Sequence, residues 1–76
     1  MISERRYTIH LLPESDGGYT VLVPALPEVV TCGDTYEEAM ANAREAIEAI
    51  LEFYRDEGWE IPDDVETRVD HLTIAA

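Results

Sequence analysis

The chain has 76 residues, of which 46% are hydrophobic, and this length and composition predict one small folded domain. Its charge is strongly asymmetric, because five arginines, no lysine and seventeen acidic residues give a formal net charge of −12. Nucleic-acid binding needs cations that neutralise phosphates. The charge therefore argues against direct binding of RNA or DNA and fits a basic protein partner better, although an acidic surface by itself more often only confers solubility.

The single cysteine, Cys32, cannot form a disulfide within the chain, as is typical of a reducing compartment. No N-terminal segment has the pattern of a signal peptide, and no apolar run approaches the ~20 residues that cross a bilayer. We therefore expect a cytoplasmic protein that does not contact membranes. Because so small a core is marginally stable, we also expect a homo-oligomer, either a dimer or a tetramer.

The first two predicted elements form a β-hairpin. Residues 5–12 and residues 19–23 alternate between apolar and polar side chains, and Gly17 and Gly18 lie in the turn between them. The alternation predicts one inward-facing set: Tyr7, Ile9, Leu11, Tyr19, Val21 and Val23. Pro24 and Pro27 end the second strand, and residues 29–32 predict a short third strand.

A long helix is predicted from about residue 36 to about residue 57. Thr35 and Glu38 have the spacing of a capping box, and Gly58 is typical of the position just after a helix. Apolar residues recur on one helical face: Tyr36, Met40, Ala43, Ile47, Ile50, Leu51 and Tyr54.

Residues 67–74 alternate again and predict a last strand. The resulting order is β-β-β-α-β, an α+β fold in which one long helix packs on an antiparallel sheet of three to four strands. Such an open sheet has edge strands with unpaired backbone groups, which are candidate sites for pairing with a second copy or with a partner.

The candidates for catalysis are few. Cys32 precedes the start of the helix, where a thiolate is stabilised, and His10 or His71 would have to act as its base. No spacing brings either histidine near the cysteine, so we expect Cys32 to be a small apolar residue in the sheet core. We therefore predict no catalytic residue and no enzymatic activity.

The acidic residues near the C-terminal end are the candidates for metal binding, since hard cations prefer clustered carboxylates. They have no recognised ligand spacing, and we expect a solvated acidic segment, with no metal and no cofactor. The residues considered are Asp63, Asp64, Glu66, Asp70 and His71.

Three motifs follow one another in the middle of the chain. They are V-P-x-L-P at residues 23–27, G-x-T-x-x-E-A at residues 33–39 and A-x-x-N-A-x-E-A-I at residues 39–47. In this order and spacing the chain resembles the HicB family, the antitoxins of bacterial toxin–antitoxin pairs. The resemblance implies a partial ribonuclease-H-like fold. Nuclease activity of that kind is not expected, because it needs several carboxylates converging from strands and only Asp70 lies in a predicted strand.

The resemblance also implies a function. It predicts an antitoxin that binds a small basic HicA-type toxin, an mRNA-cleaving ribonuclease, and inhibits it by covering its active surface. Exposed acids near the helix start, Glu28, Asp34 and Glu37, are the candidate contacts with this partner, and the alternative for each is helix capping or plain solvation. The alternative is an orphan module of the same fold, either a self-associating scaffold or a small-ligand sensor, with no toxin partner.

Longer members of the family carry a C-terminal DNA-binding domain. Because the sequence ends just after the last predicted strand, we expect residues 1–76 to form a single HicB-like domain without that addition. The motif residues Pro24, Pro27, Gly33 and Thr35 are expected to shape the strand end, the turn and the helix cap.

Overall fold

The computed structural model describes residues 4–76. Its elements are β1 (His10–Pro13), β2 (Tyr19–Leu22), β3 (Val30–Gly33) and α1 (Tyr36–Asp56). The strands form one antiparallel sheet in the order β1-β2-β3, and α1 packs against β3 and β2. The predicted α+β fold, an antiparallel sheet followed by one long helix, is confirmed, although β1 begins later than the alternation suggested.

The strand register decides which side chains face the helix. Val21 lies opposite Leu11 of β1 and Thr31 of β3, and it is fully buried. The predicted inward-facing set is confirmed, because all of its members pack in the core: Tyr7, Ile9, Leu11, Tyr19, Val21 and Val23.

Cys32 does not lie in the core, so this expectation was wrong. Its register partner is Thr20, which points away from the helix because neighbouring Val21 points towards it. The thiol is accordingly exposed. Gly33 takes the inward position instead, and its lack of a side chain lets α1 approach β3 closely, since Ala39 lies directly against it.

The proline-bracketed segment after β2 carries apolar side chains into the core. It forms two successive turns, in which the Leu26 N–H donates to the Val23 carbonyl and the Val29 N–H donates to the Leu26 carbonyl, each at 2.9 Å. Leu26 is fully buried and packs with Val23, Val29, Leu51 and Tyr54. The V-P-x-L-P motif therefore shapes a loop that closes one end of the core.

At the start of α1 the structure shows the Thr35 half of the predicted capping box, whereas the Glu38 carboxylate makes no return hydrogen bond among residues 4–76. The Thr35 hydroxyl accepts a hydrogen bond from the Glu38 N–H at 3.1 Å, which satisfies one of the free amides of the first turn. Asn42, one turn further along, donates from its side chain to the Cys32 carbonyl at 2.8 Å and so ties α1 to β3.

The end of α1 has the hydrogen bonds of a Schellman motif. Gly58 has a φ of +71°, its N–H donates to the Arg55 carbonyl at 3.1 Å, and the Trp59 N–H donates to the Tyr54 carbonyl at 2.8 Å. The Trp59 ring then meets the Phe53 ring edge-on, with centroids 5.3 Å apart. The prediction that Gly58 occupies the position just after the helix is confirmed.

The structure corrects one predicted element, because residues 67–74 are not paired as a strand. Residues 62–67 run alongside the N-terminal segment, but the hydrogen bonds between them all use a side chain. Tyr7 donates its hydroxyl to the Pro62 carbonyl at 2.6 Å, and Thr8 donates from both its N–H and its hydroxyl to Asp64. Alternating residues favour an extended chain, but a strand also needs a neighbouring backbone for its ladder.

Candidate partner-binding surface

The three acids predicted to contact a partner do not form one cluster. Asp34 and Glu37 are exposed on either side of the cap residue Thr35, at the N-terminal end of α1. Glu28 lies in the loop before β3, and its carboxylate accepts a hydrogen bond from the hydroxyl of Tyr54. Tyr54 is near the other end of α1, roughly 25 Å along the helix axis from Glu37 at 1.5 Å per residue.

The Glu28 carboxylate is engaged within the chain. The Tyr54 hydrogen bond lowers the pKa of Glu28, with a smaller contribution from a backbone hydrogen bond, because both favour the ionised carboxylate. The same bond raises the pKa of Tyr54, since a phenol that donates to a carboxylate resists losing its proton. Glu28 therefore fastens the proline-bracketed loop to α1.

A larger acidic surface runs along the exposed face of α1, and we call it the acidic stripe. Successive members are seven, three, four and four positions apart, so they lie on one side of the helix, and all are exposed. They span about 27 Å of helix at 1.5 Å per residue. The stripe consists of Glu38, Glu45, Glu48, Glu52 and Asp56.

Within residues 4–76 no ion pair or side-chain hydrogen bond uses a carboxylate of the acidic stripe, and the ion pair present there joins Arg5 to Asp63 at 3.5 Å. Like charges at this spacing repel each other and destabilise an isolated helix. The acidic stripe was not predicted from the sequence, because only the apolar residues of the helix were considered for their spacing. The signal was present in the sequence, since Glu38, Glu45 and Glu52 are seven positions apart.

Among residues 4–76 no nucleophile–base pair is assembled around Cys32. The cysteine lies on β3, whereas His10 lies on β1, two strands away, which is about 9.5 Å at ordinary strand spacing. The His10 ring is bonded through Nε2 to the Thr67 hydroxyl at 2.8 Å. His71 belongs to the exposed C-terminal segment.

Two of the acids considered for metal binding, Asp63 and Asp64, have other partners. Asp63 pairs with Arg5, and Asp64 accepts from the N–H and the hydroxyl of Thr8, which lowers the pKa of Asp64. In the part of the chain that the structure describes, no group of three or more His, Cys, Asp or Glu side chains is placed to hold a metal ion. None of the helical structure in that part is long and apolar enough to cross a membrane.

Comparison with known proteins identifies the class of this small acidic α+β domain. The matching family model is described as a HicB-like antitoxin of a bacterial toxin–antitoxin system, and it matches residues 7–75. The domain is thus of the antitoxin class. The chain belongs to the HicB-like antitoxin family.

Individual relatives agree with this assignment. Antitoxin HicB 1 of Photorhabdus laumondii is 42% identical over 62 residues, which are 82% of this chain and 40% of that protein. Antitoxin HicB of Escherichia coli K12 is 39% identical over 57 residues, 75% of this chain and 41% of the relative. A UPF0150 protein of Thermoplasma acidophilum is 42% identical over 59 residues, 78% of this chain and 86% of the relative. The chain thus matches less than half the length of these two HicB antitoxins.

Proposed function

We propose that this chain binds a small basic toxin of the HicA type, an mRNA-cleaving ribonuclease, and inhibits it by covering its active surface. In this role the chain is a binding protein and not an enzyme, and it does not itself bind nucleic acid. Membership of the antitoxin family supports a toxin partner. The observation that carries the binding mode is the acidic stripe on α1.

The acidic stripe suits a cationic partner for an energetic reason. Its carboxylates repel one another along the helix, and none of them forms an ion pair among residues 4–76. A basic surface laid along the stripe would relieve this repulsion while gaining its own Coulomb attraction, and complementary charge also speeds the encounter. A ribonuclease needs a basic surface to hold the phosphates of its substrate. The stripe would compete with RNA for that surface.

The three acids that the sequence predicted as contacts have different parts in this proposal. Asp34 and Glu37 extend the acidic stripe beyond its N-terminal end, and we assign them to the same contact surface. Glu28 is assigned a smaller part, since its carboxylate is already held by Tyr54 at the far end of the helix.

The test uses the purified chain and its candidate partner, a HicA-type toxin encoded by a neighbouring reading frame. We expect the chain to abolish mRNA cleavage by the toxin at equimolar ratio, and we expect their affinity, measured by calorimetry, to fall at least tenfold between 50 and 300 mM salt. Absence of inhibition would overturn the proposal and favour the orphan scaffold or ligand-sensing module. Inhibition with affinity independent of salt would reject the acidic stripe as the contact.

A charge-reversal variant tests whether the acidic stripe is the surface that binds the toxin. The double substitution Glu45→Lys and Glu52→Lys should weaken toxin binding at least tenfold. Its fold should be retained, since a glutamate four positions before a lysine stabilises a helix. The matched control is Glu60→Lys with Glu66→Lys, which changes the net charge equally at exposed positions outside α1. Equal weakening by both variants would show that total charge, not the acidic stripe, drives binding.

A further inference from the structure

An open groove lies between one side of α1 and the N-terminal segment of the chain. Among the described elements α1 contacts β3 and β2 but not β1, so the helix leaves the β1 side of the sheet open. The groove has a volume of about 1030 Å³. Its large apolar side chains come from the N-terminal segment, from α1 and from the segment after the helix: Tyr7, Ile9, Met40, Ile47, Leu51 and Ile61.

The apolar residues that α1 contributes to the groove follow the helix axis. Met40, Ile47 and Leu51 are seven and four positions apart, so their side chains lie on one side of the helix. From Met40 to Leu51 the helix rises about 16.5 Å at 1.5 Å per residue. An extended alkyl chain of twelve carbons is about 13 Å long, at roughly 1.2 Å per bond. The apolar part of the groove is therefore long enough for an alkyl chain of this size.

The rim of the groove is cationic although the molecule is acidic. Three of the five arginines line it, Arg5, Arg44 and Arg55, together with two acids, Glu4 and Glu48. The rim thus has one more cation than acid, on a chain whose formal net charge is −12. An apolar groove with a cationic rim is complementary to a ligand that has an apolar body and an anionic group.

Two of these arginines are free to bind an anion. Arg5 is engaged in an ion pair with Asp63, at 3.5 Å, whereas neither Arg44 nor Arg55 forms an ion pair among residues 4–76. Arg44 and Arg55 are eleven positions apart, about three helical turns, so they lie on the same side of α1. A guanidinium can donate two parallel hydrogen bonds to one carboxylate. Arg55 lies one turn beyond Leu51, at the end of the apolar residues that α1 contributes.

The wall that α1 forms presents side chains and no free backbone groups. Backbone N–H and C=O groups in the middle of a helix bond to one another. The Tyr7 hydroxyl, on the opposite wall, already donates to the Pro62 carbonyl at 2.6 Å. An extended peptide laid against α1 would leave its own backbone groups on that side without partners, which costs free energy. An alkyl chain has no such groups, so the lining favours it over a peptide.

We infer that the groove binds a free alkyl carboxylate with a chain of about twelve carbons. Its carboxylate pairs with Arg55, its alkyl chain lies over Leu51 and Ile47 towards Met40, and Arg44 adds positive potential along the rim. The ligand is a single free molecule and not a lipid within a bilayer, because an anionic bilayer surface repels a chain of charge −12. Such binding does not depend on a toxin partner.

Calorimetric titration with dodecanoate, below the concentration at which it forms micelles, tests the site. We expect one molecule bound per chain, and octanoate should bind at least tenfold more weakly because it has four fewer methylene groups to bury. Dodecyltrimethylammonium has the same length of alkyl chain with a cationic head group, and it should also bind at least tenfold more weakly than dodecanoate. The net charge of −12 attracts this cation to the rest of the surface, so a preference for the anion requires a local cationic site. Equal binding of the two, or no saturable binding of dodecanoate, would overturn the inference.

A pair of matched variants tests the arginines. Arg44→Gln with Arg55→Gln should weaken dodecanoate binding at least tenfold. Arg6→Gln with Arg68→Gln removes the same charge from two arginines that do not line the groove, and it should change the affinity less than twofold. All four side chains are exposed, so circular dichroism should show an unchanged fold in both variants. Equal weakening by both would show that net charge determines the affinity and would refute the site.

Nuclear magnetic resonance locates the ligand. Dodecanoate should shift the amide signals of Ile9, Ile47 and Leu51 and leave those of Leu22 and Val30 unchanged, since these two residues pair on the outer face of the sheet. Shifts centred on Leu22 and Val30 instead would contradict the assignment to the groove. A synthetic peptide of alternating leucine and glutamate is the comparison ligand. If this peptide bound in the groove and dodecanoate did not, the groove would be a peptide site and the inference would be wrong.

Discussion

Gly33 lies directly against Ala39, so closely that a Cβ atom on Gly33 would approach the Ala39 backbone nitrogen to 2.4 Å. Ala39 is itself fully buried against Val21, and the helix cannot retreat without opening that contact. We predict that Gly33→Ala lowers the free energy of unfolding by about 1–3 kcal/mol, the usual cost of overpacking a core. Urea denaturation followed by circular dichroism measures it.

Gly58 provides the control for this substitution. Its φ is +71°, and no other group lies within 4 Å of the position that a Cβ would take. Glycine is therefore favoured at position 58 by the backbone conformation and not by a lack of space. Gly58→Asn should cost little, because asparagine tolerates the left-handed region. If Gly33→Ala were equally mild, the close approach of α1 to β3 would not be a constraint.

The fully buried Leu26 should be among the most sensitive apolar positions. Leu26→Ala removes a side chain from the loop that closes the core, and we expect a loss of about 2–5 kcal/mol of unfolding free energy. Leu22→Ala, at an exposed position of β2, serves as the comparison and should cost much less. Similar melting temperatures for both variants would mean that the loop contributes little to the core.

The helix cap can be tested by substituting Thr35. Thr35→Ala removes the hydroxyl that accepts from the Glu38 N–H, and helix caps of this kind contribute about 1 kcal/mol to stability. Thr35→Ser keeps the hydroxyl and should retain most of that contribution. Thermal unfolding of the two variants side by side measures the difference, and an equal loss in both would assign the effect to the methyl group.

The hydrogen bond between Tyr54 and Glu28 predicts a pH dependence of stability. The pKa of Glu28 is lowered in the folded chain, so its contribution is present above the ordinary glutamate pKa of about 4.3 and is lost as the pH falls through the lower folded value. The pKa of Tyr54 is raised, so its contribution is present below the ordinary tyrosine pKa of about 10 and is lost as the pH rises through the higher folded value.

Tyr54→Phe removes this hydrogen bond and keeps the ring in the core. We expect the variant to be less stable than the unmodified chain at pH 7 and to lose less stability on acidification below pH 4. Denaturation curves at pH 3, 5 and 7 provide the comparison. If the two chains had parallel pH profiles, the Glu28 contact would carry no energetic weight.

The elements that were predicted correctly are determined by residues that are close to one another in the sequence. Thr35 caps α1, Gly58 ends it, and the alternation around Val21 orients the hairpin, each within a few residues. Cys32 was misplaced because a four-residue strand does not reveal which of its faces is inward. That choice depends on α1 approaching β3 at Gly33, a contact between elements that residue types alone do not specify.

The remaining differences also come from contacts between elements. Residues 67–74 alternate between apolar and polar side chains, as a β-strand does. A strand forms only where a neighbouring backbone is placed to hydrogen-bond with it. The predicted acids Glu28 and Glu37 are separated because β3 and α1 place them at opposite ends of the helix. The acidic stripe, by contrast, was readable from its spacing alone.

The hydrogen bonds of Tyr7, Thr8 and His10 reach partners 55 to 57 positions away along the chain. The hairpin, the loop and α1 are joined by much shorter separations, so their chain-closure cost is smaller and they should form earlier during folding. The junction between residues 7–10 and residues 62–67 would then close last and open first. The Thr8 amide should exchange with deuterium long before the Val21 amide, while the sheet and the helix remain intact.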